Sequence, residues 1–223
     1  MVADAFIDLH TERLTLLGER AAFREQDGTL LVADPHFGKA AAFRAAGVPV
    51  PRGTTTESLA RLDAAITRLA ARRIVFLGDF LHARAGRAPE TIRVVNAWRA
   101  SRAGMDMLLV RGNHDRNAGD PPEELRIRCV DAPVIEAPLV YAHHPVRSPE
   151  GWVVCGHMHP GVRLTGPARE RSRLPCFWLG DGVLVLPAFG EFTGLADVDV
   201  LPGHRLWVVA DGAVMEMDAA RGA

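Results

Sequence analysis

TLLVADPHFGK, residues 29–39, runs from an apolar stretch that reads as a strand straight into an Asp34-x-His36 pair. Four later segments repeat the arrangement. RIVFLG (73–78) leads into Asp79, MDMLLVRG (105–112) into Asn113-His114-Asp115, PLVYA (138–142) into His143-His144, and WVVCG (152–156) into His157-Met158-His159. Parallel strands buried on both faces read as continuous apolar runs, and ligands collect where such strands end. Five strand ends are therefore expected to bring carboxylate, imidazole and amide donors to one place, with no thiolate among them. That donor set suits Mn, Fe, Zn or Ni rather than an iron–sulfur cluster. Paired divalent ions in such a setting hydrolyse phosphate esters.

Taken singly, an Asp-x-His pair is most often a surface turn, and Gly-His-x-His could be two strand-end histidines. All five segments in this order, each after an apolar run, are hard to explain without a shared site. A two-metal centre needs one shared carboxylate, and Asp79, alone after its strand and between the two halves of the set, is the candidate bridge. Asp34 and His36, two residues apart on an extended segment, point the same way and are expected to hold one ion. Asn113, His143 and His157 are expected to hold the other, with His159 returning to the first. His114 adjoins a ligand, so in an extended turn it should face away from the ion, toward the scissile phosphate. There it would act as general acid or transition-state donor, with Asp115 orienting and charge-stabilising its imidazole. The expected nucleophile is a metal-bridged hydroxide.

The chain has 223 residues, enough for one domain with a sizeable core, and residues 1–223 are read as one. A formal net charge of −1 excludes a globally basic nucleic-acid coat. Lys39 is the only lysine, so 25 of the 26 basic residues are arginines, a side chain suited to forked phosphate contacts. Three cysteines (Cys129, Cys155, Cys176) without CxxC spacing imply a reducing setting and no disulfide frame. MVADAFIDLH at the amino end carries acids where a targeting segment would carry positive charge. No apolar run approaches the roughly 18 residues of a membrane helix. These features predict a cytoplasmic protein without membrane attachment.

Residues 11–33 read as a β-hairpin with Asp27-Gly28 as its turn. Residues 38–47 favour a short helix stopped at Gly47. Thr54 to Arg72 is the clearest helix, with Leu59, Leu62, Ile66 and Leu69 at helical spacing and a threonine cap before Glu57. A second helix is expected over Pro89 to Arg102, with Gly104 beyond its end. From Leu125 onward the pattern changes to short strands and turns. Helices over sheet strands followed by β meanders predict an α/β sandwich of two packed sheets.

Lys39, Arg44, Arg52 and Arg116 lie in loops that leave the proposed strand ends and are candidates for gripping substrate phosphates. His82 and His144 sit near ligands in sequence and are read as packing or supporting residues. Phe37, Phe43 and Trp152 are read as core or rim residues before base-stacking ones.

The motifs resemble those of the calcineurin-like metallophosphoesterase superfamily over residues 30–160. The resemblance narrows across ADPHFGKAAAFRAAGVPVPRGTTTESLARL, GDFLHAR, VRGNHDR, GHMHPGVRL, RLPCFWLG and LPAFGEFTGL. Together these look like the ligase-associated DNA damage response endonuclease family, found in bacteria beside an ATP-dependent DNA ligase, a helicase-like protein and an exonuclease. What the resemblance implies is a four-layer α/β/β/α sandwich of two packed mixed sheets and a manganese-dependent phosphodiesterase that cuts DNA in repair. It also implies that Asp34, His36, Asp79, Asn113, His143, His157 and His159 are metal ligands and that His114 is catalytic. Pro35 departs from the pattern, stiffening the Asp-x-His pair without removing a ligand. Two other readings share the fold. A small-molecule phosphodiesterase or phosphatase, acting on cyclic nucleotides or nucleotides, would keep metals and His114 and differ in its groove. A non-catalytic interaction scaffold would lack part of the ligand set, which this chain has in full.

Overall fold

The computed structural model describes residues 3–51, 53–165 and 171–217. Seven strands form the first sheet, in chain order: β1 (Ala5–Leu9), β2 (Glu12–Leu17), β3 (Ala21–Arg24), β4 (Thr29–Val32), β5 (Arg73–Phe76), β6 (Asp106–Val110) and β7 (Arg128–Val130). The first four run antiparallel and the last four parallel, so the sheet is mixed. Between them lie α1 (Lys39–Ala45), α2 (Thr54–Leu69), α3 (Pro89–Ser101) and α4 (Asn113–Ala118).

The second sheet holds β8 (Val134–Glu136), β9 (Leu139–Tyr141), β10 (Trp152–Cys155), β11 (Pro160–Thr165), β12 (Arg171–Gly180), β13 (Val183–Val185), β14 (Ala196–Asp197), β15 (Arg205–Ala210) and β16 (Ala213–Met217). It too is mixed: β9, β10 and β13 are parallel, while β12 runs antiparallel to β11, β13 and β15.

Two-residue periodicity divides each strand between two apolar layers. Leu31, Val75 and Leu108 face the second sheet and meet Tyr141, Val154, Phe177, Leu184 and Trp207. Their neighbours Leu30, Ile74, Phe76, Met107 and Leu109 face outward, where Leu59, Leu62 and Ile66 of α2 and Val95 and Trp98 of α3 cover them. The outer face of the second sheet, with Cys176, Leu206 and Val208, packs against Val198 and Val200. Among the described residues its cover is thus extended chain, while the helices lie on the first sheet.

The helices and strands follow the sequence pattern, with local differences. Residues 11–33 form three antiparallel strands rather than one hairpin, because a turn near Arg20 (φ 64°) separates β2 from β3. The start of α2 is capped by Gly53 (φ 91°) with no threonine side-chain cap. His114 lies within α4, not in an extended turn. Among the described residues no helix is long and apolar enough to cross a membrane.

Candidate metal centre

Every proposed ligand lies beyond the carboxyl end of a strand: Asp34 and His36 after β4, Asp79 after β5, Asn113 after β6, His143 after β9, and His157 and His159 after β10. The seven side chains that the sequence singled out come together in two facing groups. Asp34, His36 and His159 form one, with His36 Nε2 3.4 Å from His159 Nε2 and His159 Nε2 3.8 Å from Asp34 Oδ2. In the other, Asn113 Oδ1 lies 2.9 Å from His143 Nε2 and 3.1 Å from His157 Nδ1. Asp79 stands between them, Oδ2 3.9 Å from His36 Nε2 and Oδ1 3.6 Å from His143 Nε2.

The backbone there is not extended. Asp34, His36, Asp79, His157 and His159 all have positive φ, between 45° and 71°. The expectation that Asp34 and His36 share a face through strand alternation is therefore corrected: left-handed turns aim them. Such conformations cost a non-glycine residue stability and gather at functional sites. Glycine explains the rest of the motif spelling. A Cβ at Gly78 (φ 89°) would overlap the His143 ring, and one at Gly156 would overlap the Asp34 carboxylate.

Whether the pocket fits cations can be judged from its hydrogen bonds. His143 Nδ1 donates to the Leu77 carbonyl at 3.0 Å, so the neutral ring presents a lone pair from Nε2 to the Asn113 oxygen. Two acceptors 2.9 Å apart repel unless a cation lies between them. Among the described residues, Asp34 Oδ1 and His36 Nδ1 are buried without any hydrogen-bond partner. The residues present fit divalent ions, and the carbonyl behind His143 is the kind of support that orients a metal-ligating imidazole.

Burial pushes the Asp34 carboxyl well above the usual carboxylate range, reinforced by the charge of Asp79, and burial raises Asp79 as well. Burial also holds His143 and His159 down to about 4 and lowers His36 and His157. The imidazoles are thus neutral, ready donors through the neutral range, while a bound cation must displace protons from the carboxyls as pH falls. Cation affinity is expected to drop on acidification, through Asp34 and Asp79 and, near pH 4, through His143 and His159. Titrating a divalent cation into metal-free protein at several pH values checks this; a flat affinity would contradict it.

Asp115 requires a correction. Its carboxylate does not orient His114; it accepts from the backbone N–H groups of Asp79 (2.7 Å), Phe80 (2.9 Å) and Gly112 (2.9 Å). It ties the loop after β5 to the loop after β6. Its removal strands three buried donors, so Asp115→Ala should cost about 2–4 kcal/mol in a denaturant titration. Loss of activity with unchanged stability would return Asp115 to the chemistry. His114 instead sets Nδ1 against the His82 carbonyl and stacks on the His82 ring, centroids 5.0 Å apart. Its amide donates to Asp79 Oδ1 at 2.8 Å.

His82 and His144, read from sequence as supporting residues, adjoin the centre: His82 joins His36 and His114, and His144 meets His157 edge to face with centroids 4.1 Å apart. Only their nearness to the motifs signalled this. Lys39, half-buried beside His36 and lowered by burial, lines a small cleft with Pro35 and Glu191. Arg44 instead donates to the Pro51 carbonyl (2.9 Å), and Arg116 lies exposed, 3.7 Å from Asp131. Neither is in the donor clusters, and Arg52 lies outside the described residues.

Two packed mixed sheets with oxygen and nitrogen donors gathered at their strand ends define a metal-dependent phosphoesterase. The chain is similar to the Pseudomonas putida nuclease MPE, at 39% identity and a TM-score of 0.85, over 96% of this chain and 100% of that one. It belongs to the metallophosphoesterase nuclease family. Weaker likenesses are YfcE, a phosphoesterase from E. coli (14% identity, TM-score 0.40, 82% of this chain and 88% of that one), and AQ665, a protein of unknown function from Aquifex aeolicus (16%, 0.41, 59% and 78%). No protein-family model and no curated protein matches.

Proposed function

We propose that this chain is a manganese-dependent DNA endonuclease of DNA repair, in functional association with an ATP-dependent DNA ligase, a helicase-like protein and an exonuclease. The observation that carries the nuclease part is the 39% identity to a nuclease along almost the whole chain. The carboxylate, amide and imidazole donors are compatible with manganese.

Asp34, His36, Asp79 and His159 would hold one ion, and Asp79, Asn113, His143 and His157 the other. When bound, such a pair neutralises developing charge on a phosphate and brings water to a nucleophilic state near neutral pH. The chain's own residues set the proton traffic. The His82 carbonyl keeps a proton on His114 Nδ1, and Nε2 lies 4.0 Å from Asp79 Oδ2. To donate to a leaving oxygen, Nε2 must carry a proton too, so His114 works as the imidazolium. Lys39 beside His36 adds positive charge for a bound phosphate.

With a net charge of −1, the grip on DNA has to be local. Cleavage of DNA should fall steeply with added salt while hydrolysis of a small chromogenic diester does not. Equal salt responses would point to a small-molecule phosphodiesterase. Removal of metal should lower the thermal midpoint, because ions that bind only the folded chain stabilise it, and divalent cation should restore it; a midpoint indifferent to chelator would contradict the ligand assignment.

A further inference from the structure

The loop between β13 and β14 is fastened to the metal centre at both ends. Phe189 N donates to the Ala33 carbonyl (2.8 Å) and Gly190 N to the Asp34 carbonyl (3.1 Å), while Ala196 N donates to the His159 carbonyl (3.0 Å). Arg61 of α2 pairs with Glu191 and bonds the Phe189 carbonyl. Glu191 itself lines the cleft that holds His36 and Lys39.

Next to Glu191, Phe192 is 43% exposed and has φ 58°. It occupies a turn that Thr193 Oγ1 closes onto the Gly190 carbonyl (3.2 Å). A left-handed turn position favours glycine or asparagine, and a bulky residue there is an outlier. Outside the ligand set, the other non-glycine residues of positive φ among the described residues lie in hairpin turns or follow helices. Phe192 combines two features that folding does not reward, a disfavoured backbone and a solvated ring, on a loop anchored to two ligand segments.

We propose that Phe192 is a substrate-positioning residue, a platform on which a nucleobase adjoining the scissile phosphate stacks. The inference rests on the nuclease reading. An exposed ring on a fixed loop accepts any base, since every base offers a π face, and it places the neighbouring phosphodiester without reading sequence. None of Phe37, Phe43 or Trp152 offers this: Phe37 is buried against Phe80, Phe43 packs toward His82, and Trp152 supports the layer between the sheets.

The test compares the full-length protein loaded with manganese with Phe192→Gly and Phe192→Trp. The substrates are an oligonucleotide, the same oligonucleotide carrying one abasic position, and methyl p-nitrophenyl phosphate. Phe192→Gly should melt no lower than the parent. Its kcat/KM for the oligonucleotide should fall about tenfold, mostly through KM, as loss of one stacked base implies. Hydrolysis of the small diester should be unchanged, and Phe192→Trp should keep oligonucleotide cutting. The parent should cut poorly beside the abasic position, and Phe192→Gly should be indifferent to it. Equal oligonucleotide cutting by parent and Phe192→Gly would overturn the platform while leaving the nuclease reading intact. So would a lowered melting point with both substrates equally impaired. A parent that hydrolyses the diester and cuts no oligonucleotide would remove the nuclease reading and the platform together.

Discussion

Asp79→Ala should abolish phosphodiester hydrolysis, with a loss of about 1,000-fold or more, and should reduce bound divalent metal per chain. The size follows from position. Asp79 turns its two oxygens to different donor groups, Oδ2 to His36 Nε2 on one side and Oδ1 to His143 Nε2 on the other. Its Oδ1 also accepts the His114 amide, so the substitution loosens the proposed general acid as well. Metal analysis and single-turnover rates on the purified variant check both parts. Full metal occupancy would remove Asp79 as the shared ligand.

The second large effect belongs to His114. His114→Ala removes a ring that no ion is expected to claim, so metal content should stay at the parental level while the rate falls by about 100- to 10,000-fold. The loss should be greatest with poor leaving groups, because a general acid helps most where the departing oxygen is basic. A series of diesters of graded leaving-group pKa provides the measurement. A uniform loss across the series would assign His114 to charge stabilisation instead.

The two-sheet architecture was legible because its parallel strands are written as unbroken apolar runs, and the clustering of the donors because each lies just beyond such a run. Asp34, His36 and Asp79 could be named from spacing, yet the reason they converge could not. Strand alternation suggested an extended Asp34-x-His36 segment, whereas left-handed turns at both residues do the aiming. Those turns depend on contacts made far along the chain, such as Asp34 Oδ2 receiving the His157 amide at 2.8 Å. Asp115 misled for a related reason. Its place beside His114 suggested a charge partner, but a helix begins at Asn113, and three backbone donors from two loops compete for the carboxylate. Phe192 carried no local signal, since its meaning depends on anchors at Asp34 and His159, both more than thirty residues earlier in the chain.

The account stands most directly on nicking of supercoiled plasmid by metal-stripped protein, before and after resupply of manganese, with His114→Ala in parallel. It predicts no nicking without metal, nicking on resupply, and none by His114→Ala even though that variant binds the ion. Nicking that persists in chelator, or that His114→Ala performs at the parental rate, would contradict it.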